Sequence, residues 1–503
     1  MSSTKATAPR ENLLLLPATP WPITYDSIKA AYETPIRHTL RHLKSTIKQD
    51  EKAINLTIAV HVPFVYTNRA KPRQKLYASV QGLVAGVYTL VCLIAAQDKI
   101  SLEGEGGIDA CVVIIAWPRS RSERPQSLPQ ESGLDFIGPV VSLPTFAQCN
   151  PLLDNLFEVK EKENESLQDY QDYLQDYRFS QRVLPHHVVE VKGGIVRVSA
   201  GERMIFDEVR STGEDVGSVA FDNSKGAPGL KVRDYYYSIA VGGTFDHLHI
   251  GHKLLLTMLP FLLGPEPPES AKPIEHTDAQ NKQLIIGITG DELLKKKSHQ
   301  NLIESWPERQ KAVWSFLQRI MRFDPNTPLL PPKSKSATPG PDGVYDVTET
   351  LGPLTLNFAE IRDPFGPTIT NESITALVVS AETRKGGHAV TMERVKKGWR
   401  ALDVYEVDVL SAEEAVEGEV DEEFKNKLSS TSIRQALADH ETSKDETATS
   451  KKAGGGAKTQ AESEARDSET DATGTKGTSK REGPSVATRS QDNAVGAKKA
   501  KLS

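Results

Sequence analysis

Between residues 236 and 438 the chain alternates apolar runs of strand length with longer amphipathic stretches, and this rhythm limits its fold more than any other feature. Strands are predicted over 236–241, 284–289, 354–361, 374–380 and 404–409, and helices over 252–261, 307–322, 390–399 and 432–438. A run such as Leu284-Ile285-Ile286-Gly287-Ile288 lacks the polar alternation of a half-exposed strand, so both of its faces must be covered. Such strands interleaved with helices fold as a doubly wound parallel sheet with helices on both faces, an α/β architecture. Two polar stretches, 265–282 and 324–353, interrupt the rhythm. Long structureless loops are rare inside compact domains, but the elements on each side of both stretches read cleanly, so both are expected to be exposed insertions.

The rest of the chain divides by composition. Residues 1–200 read as a separate N-terminal α/β region, with strands at 54–65 and 110–117, a helix at 76–96 and a β-hairpin at 188–198 around Lys192-Gly193-Gly194. No constellation in this region points to a chemistry. The most apolar segment, residues 82–96, is shorter than the roughly 20 residues of a membrane span and is read as a buried helix. Leu13 to Leu16 is too short for the apolar core of a secretory signal. Residues 201–234 are polar and Gly-containing, as a linker is, and 235–440 holds the strand–helix rhythm. Residues 441–503 contain no Phe, Trp or Tyr and are expected to be a disordered tail, since they cannot offset chain entropy by burial. The three scattered cysteines form no CxxC pair, which fits a reducing compartment. A net charge of −6 offers no broad basic field for nucleic acid. The expected location is cytoplasmic, with a nuclear address left open by Lys480-Arg481 and Lys498-Lys499-Ala500-Lys501.

The chemistry concentrates at the first strand of the rhythm. Ser238-Ile239-Ala240-Val241 runs into Gly242-Gly243-Thr244-Phe245-Asp246, and a helix starts near His249-Ile250-Gly251-His252. A strand that turns on glycines into a helix leaves main-chain N–H groups aimed outward at the helix N-terminus, where they bind anions. His249 and His252, three positions apart, share one face there. Two imidazoles beside a phosphate can donate to its non-bridging oxygens. A zinc site from His247, His249 and His252 is the alternative use of these residues.

The GGTFD and HxGH strings resemble those of the HxGH nucleotidyltransferase superfamily, which has a Rossmann-like fold. Further strings narrow the resemblance to eukaryotic pantetheine-phosphate adenylyltransferases of the fungal, monofunctional type. They are Gly287-Ile288-Thr289-Gly290-Asp291-Glu292-Leu293-Leu294-Lys295-Lys296-Lys297, Asp363-Pro364-Phe365-Gly366-Pro367, Val378-Val379-Ser380-Ala381-Glu382-Thr383-Arg384-Lys385-Gly386-Gly387 and Leu428-Ser429-Ser430-Thr431-Ser432-Ile433-Arg434. The resemblance covers only residues 235–440. It implies transfer of AMP from ATP to 4′-phosphopantetheine, giving dephospho-coenzyme A and pyrophosphate, with Mg²⁺ accompanying ATP. By the same resemblance His252 and His249 hold the α-phosphate, and Lys296 or Lys297 contacts phosphate at the reacting centre. Gly243, Thr244, Phe245, Arg384, Ser429, Ser430, Thr431 and Arg434 are the residues it places around ATP.

Two other readings stay open. A cytidylyltransferase acting on a small phospho-alcohol shares the GTFD and HxGH strings but not the others. A non-catalytic scaffold for other coenzyme A pathway enzymes is the reading from a different class. No G-x-x-x-x-G-K-[ST] string occurs, so no fused P-loop kinase is expected in this sequence and the product is expected to be dephospho-coenzyme A.

Overall fold

The computed structural model describes residues 10–47, 52–102, 104–119, 123, 133–149, 152–160, 190–191, 195–199, 233–264, 282–324, 344–407, 430–435 and 438. Ser429, the expected tail, most of the expected linker and most of both expected insertions lie outside the described residues. All described residues belong to one compact unit, Met1–His440.

The first half builds a parallel sheet. Its strands are β1 (Glu11–Leu16), β2 (Ile54–His61), β3 (Ile108–Ile115), β4 (Val140–Val141), β6 (Asn155–Lys160) and β8 (Ile195–Ser199), in the order β4-β3-β2-β1-β6-β8. Every pairing in it is parallel. Two short strands, β5 (Leu152–Leu153) and β7 (Glu190–Val191), pair separately, also in parallel. The hairpin expected over 188–198 is therefore not formed, since β7 joins β5 while β8 joins β6. Apolar alternation identifies a strand, and a Gly-Gly pair permits a turn, but neither dictates the partner.

Helix α1 (Tyr25–Thr46) opens on a capping box, in which the Ser27 N–H donates to Thr24 Oγ1 at 3.3 Å and the Thr24 N–H to Ser27 Oγ at 3.1 Å. Pro35 in its interior argues against a helix when the sequence is read alone. Helix α2 (Tyr77–Gln97) is buried continuously from Leu83 to Ala96. By length and composition residues Arg73–Gln97 could cross a membrane, and 78% of the most apolar 18-residue stretch within them is buried inside the fold. The helix needs no polar face because it packs between α1 on one side and α3 of the second half on the other.

The second half repeats the architecture. Strands β9 (Ser238–Gly243), β10 (Gln283–Thr289), β11 (Asp346–Leu351), β12 (Leu354–Ile361), β13 (Ala376–Ser380) and β14 (Asp403–Val407) lie in the order β11-β12-β10-β9-β13-β14. All pair in parallel except β11 with β12. Helices α3 (Ile250–Phe261), α4 (Trp306–Met321) and α5 (Arg384–Lys396) flank them. The expected doubly wound α/β sheet is thus observed. Strand β11 lies within the expected insertion at 324–353. Its half-polar pattern is what an edge strand with one wet side requires. Helix α5 starts six residues before the expected 390, across a Gly386-Gly387 pair whose low helix propensity masks it.

The two sheets share one apolar core that runs from Leu13 to Val407. Tyr77 of α2 packs its ring on Tyr405, with centroids 4.9 Å apart, and on Phe261. At another edge of this junction Gly138 N–H donates to Met321 O at 3.0 Å, and Phe323 N–H to Phe136 O at 3.0 Å. Gly138 can sit there only without a side chain, because a Cβ would lie 1.9 Å from Ile320 O. Gly138→Ala is expected to lower the unfolding free energy by about 1–3 kcal/mol, as overpacking does. An unchanged urea midpoint would refute the close approach.

Candidate functional site

Strand β9 is buried from Ile239 to Val241 and ends in the middle of its sheet. The strand order reverses there, with β10 and β12 on one side and β13 and β14 on the other. Doubly wound sheets bind ligands in the crevice at such a reversal, beyond the carboxyl ends of the strands. Gly242-Gly243 delivers the chain into that crevice. A Cβ on Gly243 would meet the Phe245 ring at 2.9 Å, so the glycine lets the loop fold back on itself. Phe245 (φ +53°) and His247 (φ +45°) are both left-handed, a backbone state that costs free energy in residues other than Gly and clusters at functional sites.

What holds this strained loop is a set of buried polar contacts. Asp246 is fully buried; its Oδ1 accepts from Glu304 N–H at 2.9 Å, and its Oδ2 takes an ion pair from Arg434. The loop's main-chain oxygens are held as well, Asp246 O by Ser430 Oγ at 2.8 Å and Thr244 O by Arg309 Nη1 at 2.7 Å. Arg309, also fully buried, reaches Asp291 Oδ1 at 2.6 Å and Glu304 O at 2.9 Å. Glu304 Oε2 in turn accepts from His247 N–H at 2.8 Å. Arg309 stands in the first turns of α4, where Glu308 Oε2 accepts from Ser305 N–H at 2.9 Å and starts the helix.

His249 caps α3, its Nδ1 accepting from Gly251 N–H at 3.2 Å. That contact assigns its proton to Nε2. The ring of His252 stacks on it with centroids 3.9 Å apart and planes 27° apart. Phe245 supports His252 from behind, at 5.3 Å between centroids. Burial pushes His249 down to about 3, helped by the Lys253 charge and then by His247. Burial also holds His252 well below the usual imidazole range, with His249 and Lys297 adding to it. Both rings are neutral at neutral pH, and the Nδ1 of His252 is buried without a hydrogen-bond partner. Neutral rings packed face to face present donors without the repulsion two imidazolium charges would bring.

The lysine run is sorted by position. All three lysines are exposed, but Lys297 Nζ donates to Thr244 Oγ1 at 3.1 Å, whereas Lys295 pairs with Glu292. Burial lowers the pKa of Lys297, and the Arg434 charge adds to that. Lys297 is thereby brought to Thr244 and near His252, which stacks on His249, while Ser430 bonds the main chain of Asp246 in the same loop. Arg434, at 1% exposure, lies behind the loop, where it also donates to Ser298 O at 3.2 Å and Thr431 Oγ1 at 3.2 Å. Phe245 contributes a fully buried ring that packs against His252. Arg384 forms an ion pair with Glu406 at the edge of β14. Ser429 is outside the described residues. The zinc alternative does not fit, because His247 Nε2 turns away to Leu302 O at 2.9 Å. Among the described residues no three His, Cys, Asp or Glu side chains converge as metal ligands.

Reasoning from sequence missed Arg309, Glu304 and Asp291. The signal for Arg309 was present: Arg309-Gln310 lies on the same helical face as Trp306, Val313 and Leu317, where buried polar groups demand partners.

Known proteins resemble this chain over parts of its length. Residues 1–197 match a family described as "Domain of unknown function (DUF8446)". An uncharacterized protein of Schizosaccharomyces pombe is 35% identical over 199 residues, covering 40% of this chain and 48% of the relative. The phosphopantetheine adenylyltransferase of Saccharomyces cerevisiae is 34% identical over 209 residues, 42% of this chain and 51% of that one. That of Thermococcus kodakarensis is 26% identical over 208 residues, 41% of this chain and 90% of the relative. The chain spans about half the length of the two yeast relatives. It is distantly related to proteins named phosphopantetheine adenylyltransferase.

The lowered His249 pKa gives a pH dependence with a definite sign. Below about 6.5 the unfolded chain takes up a proton that the folded chain refuses, so stability present above that pH is lost as pH falls toward 3. Urea midpoints should fall across this window, and less steeply in His249→Asn, whose amide oxygen can still accept from Gly251 N–H. Equal slopes for the two chains would reject a buried neutral His249.

Proposed function

We propose that the chain transfers AMP from ATP to 4′-phosphopantetheine, giving dephospho-coenzyme A and pyrophosphate. The observation that carries this reading is the stacked neutral pair His249–His252 at the N-terminus of α3, with Lys297, bonded to Thr244, near enough for its charge to act on His252. An acceptor phosphate, with a second pKa of about 6, is already largely ionised at neutral pH and needs no strong base to attack. Its oxygen forms a bond to the α-phosphorus while the bond between that phosphorus and the α–β bridging oxygen breaks, and the electron pair leaves with pyrophosphate. The site's task is then alignment and the holding of negative charge.

In this reading each imidazole donates one N–H to an α-phosphate oxygen, and Lys297 and the N–H groups of the loop balance the leaving pyrophosphate. Arg434 acts by fixing Asp246 and hence the loop. In the same reading Arg384, which pairs with Glu406 close to the carboxyl ends of β13 and β14, belongs to the surroundings of the nucleotide. Mg²⁺ enters as part of the ATP substrate. No carboxylate cluster to hold it is found among the described residues, and no step is routed through it. The distant relatives named phosphopantetheine adenylyltransferase support the acceptor.

The deciding assay is pyrophosphate release by the full chain, with 4′-phosphopantetheine against phosphocholine and nicotinamide mononucleotide, and with ATP against CTP. Release only with ATP and 4′-phosphopantetheine is expected. Turnover with CTP and phosphocholine would replace the reading with a cytidylyltransferase. His252→Ala should lower kcat by about 10²–10³ with a smaller change in KM, as for loss of a donor made in the transition state. Lys297→Ala should lower kcat by at least about tenfold, while Lys296→Ala stays within about twofold of the parent. The reverse ranking would put the wrong lysine at the phosphates.

A further inference from the structure

One carboxylate of the first sheet holds two cations of the second half. Asp109 on β3 accepts from Lys253 Nζ at 2.6 Å through Oδ1 and from Arg319 Nη1 at 2.7 Å through Oδ2. Arg319 Nη2 adds contacts to Asp109 O at 3.1 Å and to Cys111 Sγ at 3.4 Å. Lys253 is 3% exposed, so its charge needs this partner. Burial alone would raise the Asp109 pKa, but Lys253 and Arg319 outweigh it and hold the group at about 2. Both cations sit on helices that carry the site. Lys253 follows His252 in α3, and its main-chain N–H donates to His249 O at 3.0 Å. Arg319 lies near the far end of α4 from Arg309, the residue that holds Thr244 O.

We propose that Asp109 is a positioning residue for the candidate site, and that the first sheet is the rigid support on which α3 and α4 are set. This gives the half of the chain that matches a family described as a domain of unknown function a role in the chemistry of the other half. The apolar contact of α2 with α3 supplies cohesion, whereas a carboxylate whose two oxygens each hold a cation from a different helix also fixes direction. The activity readout below rests on the adenylyltransferase reading; the spectroscopic one does not.

The test uses the full chain with Asp109→Asn, Asp109→Glu and the double variant Asp109→Asn/Lys253→Met. Asp109→Asn should lower kcat by about 10–100-fold with KM for ATP changed less than about threefold, since small displacements of catalytic groups act on turnover. Asp109→Glu should regain part of that loss. The ring resonances of His249 and His252, followed by NMR, should shift in every variant. The double variant removes the buried ammonium with its partner, so its urea midpoint should recover while kcat does not. Parental kcat and unmoved ring resonances in a folded Asp109→Asn or double variant would overturn the proposal, leaving the ion pair a matter of stability alone. If neither neutral variant folds, Asp109→Glu decides, and unmoved resonances there overturn it. Should the parent chain transfer no adenylyl group, the functional reading falls, and the resonances still report whether Asp109 sets α3.

Discussion

The carboxylate of Asp246 is the constraint on which the site depends. It is fully buried, and its two oxygens face Arg434 and the N–H of Glu304. Removing it would strand the Arg434 guanidinium in the interior, a change that costs about 3–5 kcal/mol for a buried pair. It would also release the loop that carries two left-handed non-glycine residues. A loop of that shape persists only where its surroundings over-determine it. Here the determinants come from three separated stretches, Glu304 to Arg309, Ser430 to Arg434 and the strand end itself.

The imidazole pair follows from that loop. Because the loop is held, α3 starts at a defined point, and His249 satisfies its own N-terminus instead of leaving the task to Ser or Asp. The stacking of His252 on His249, with Phe245 beneath, excludes water from one side of the rings. Both rings are thereby kept neutral. Lys297 then supplies a positive charge without a neighbouring imidazolium to compete with it.

The larger apolar core of the described residues is shared by the two six-stranded sheets. An all-round apolar helix would be an unstable exterior element; α2 is stable because α1 and α3 cover its opposite sides. The cost of such a design is that polar groups trapped at the junction need partners across it. Asp109, Lys253 and Arg319 supply them, and within the first half the buried Tyr88 hydroxyl accepts from Val112 N–H at 3.1 Å.

Much of the second sheet was legible in its residues, because fully buried strands such as Leu284 to Ile288 leave a continuous apolar trace and helices such as Trp306–Met321 carry their own caps. The strand–turn–helix at Gly242 to His252 was legible for the same reason, since its chemistry is contiguous in the chain. The partners of strands were not. β7 and β8 alternate as a hairpin would, yet each pairs with a strand distant in sequence, and β11 hid in a polar stretch because an edge strand need not be apolar. The amino-acid sequence by itself determined the α/β class, the course of most strands in the second half and the residues presented at the turn. Only the tertiary structure decided that Lys297 and not Lys296 meets Thr244, that Arg434 lies behind the loop, and that Asp109 reaches α3. Those outcomes depend on which distant segments share a buried volume, and local propensity and periodicity carry no information about that.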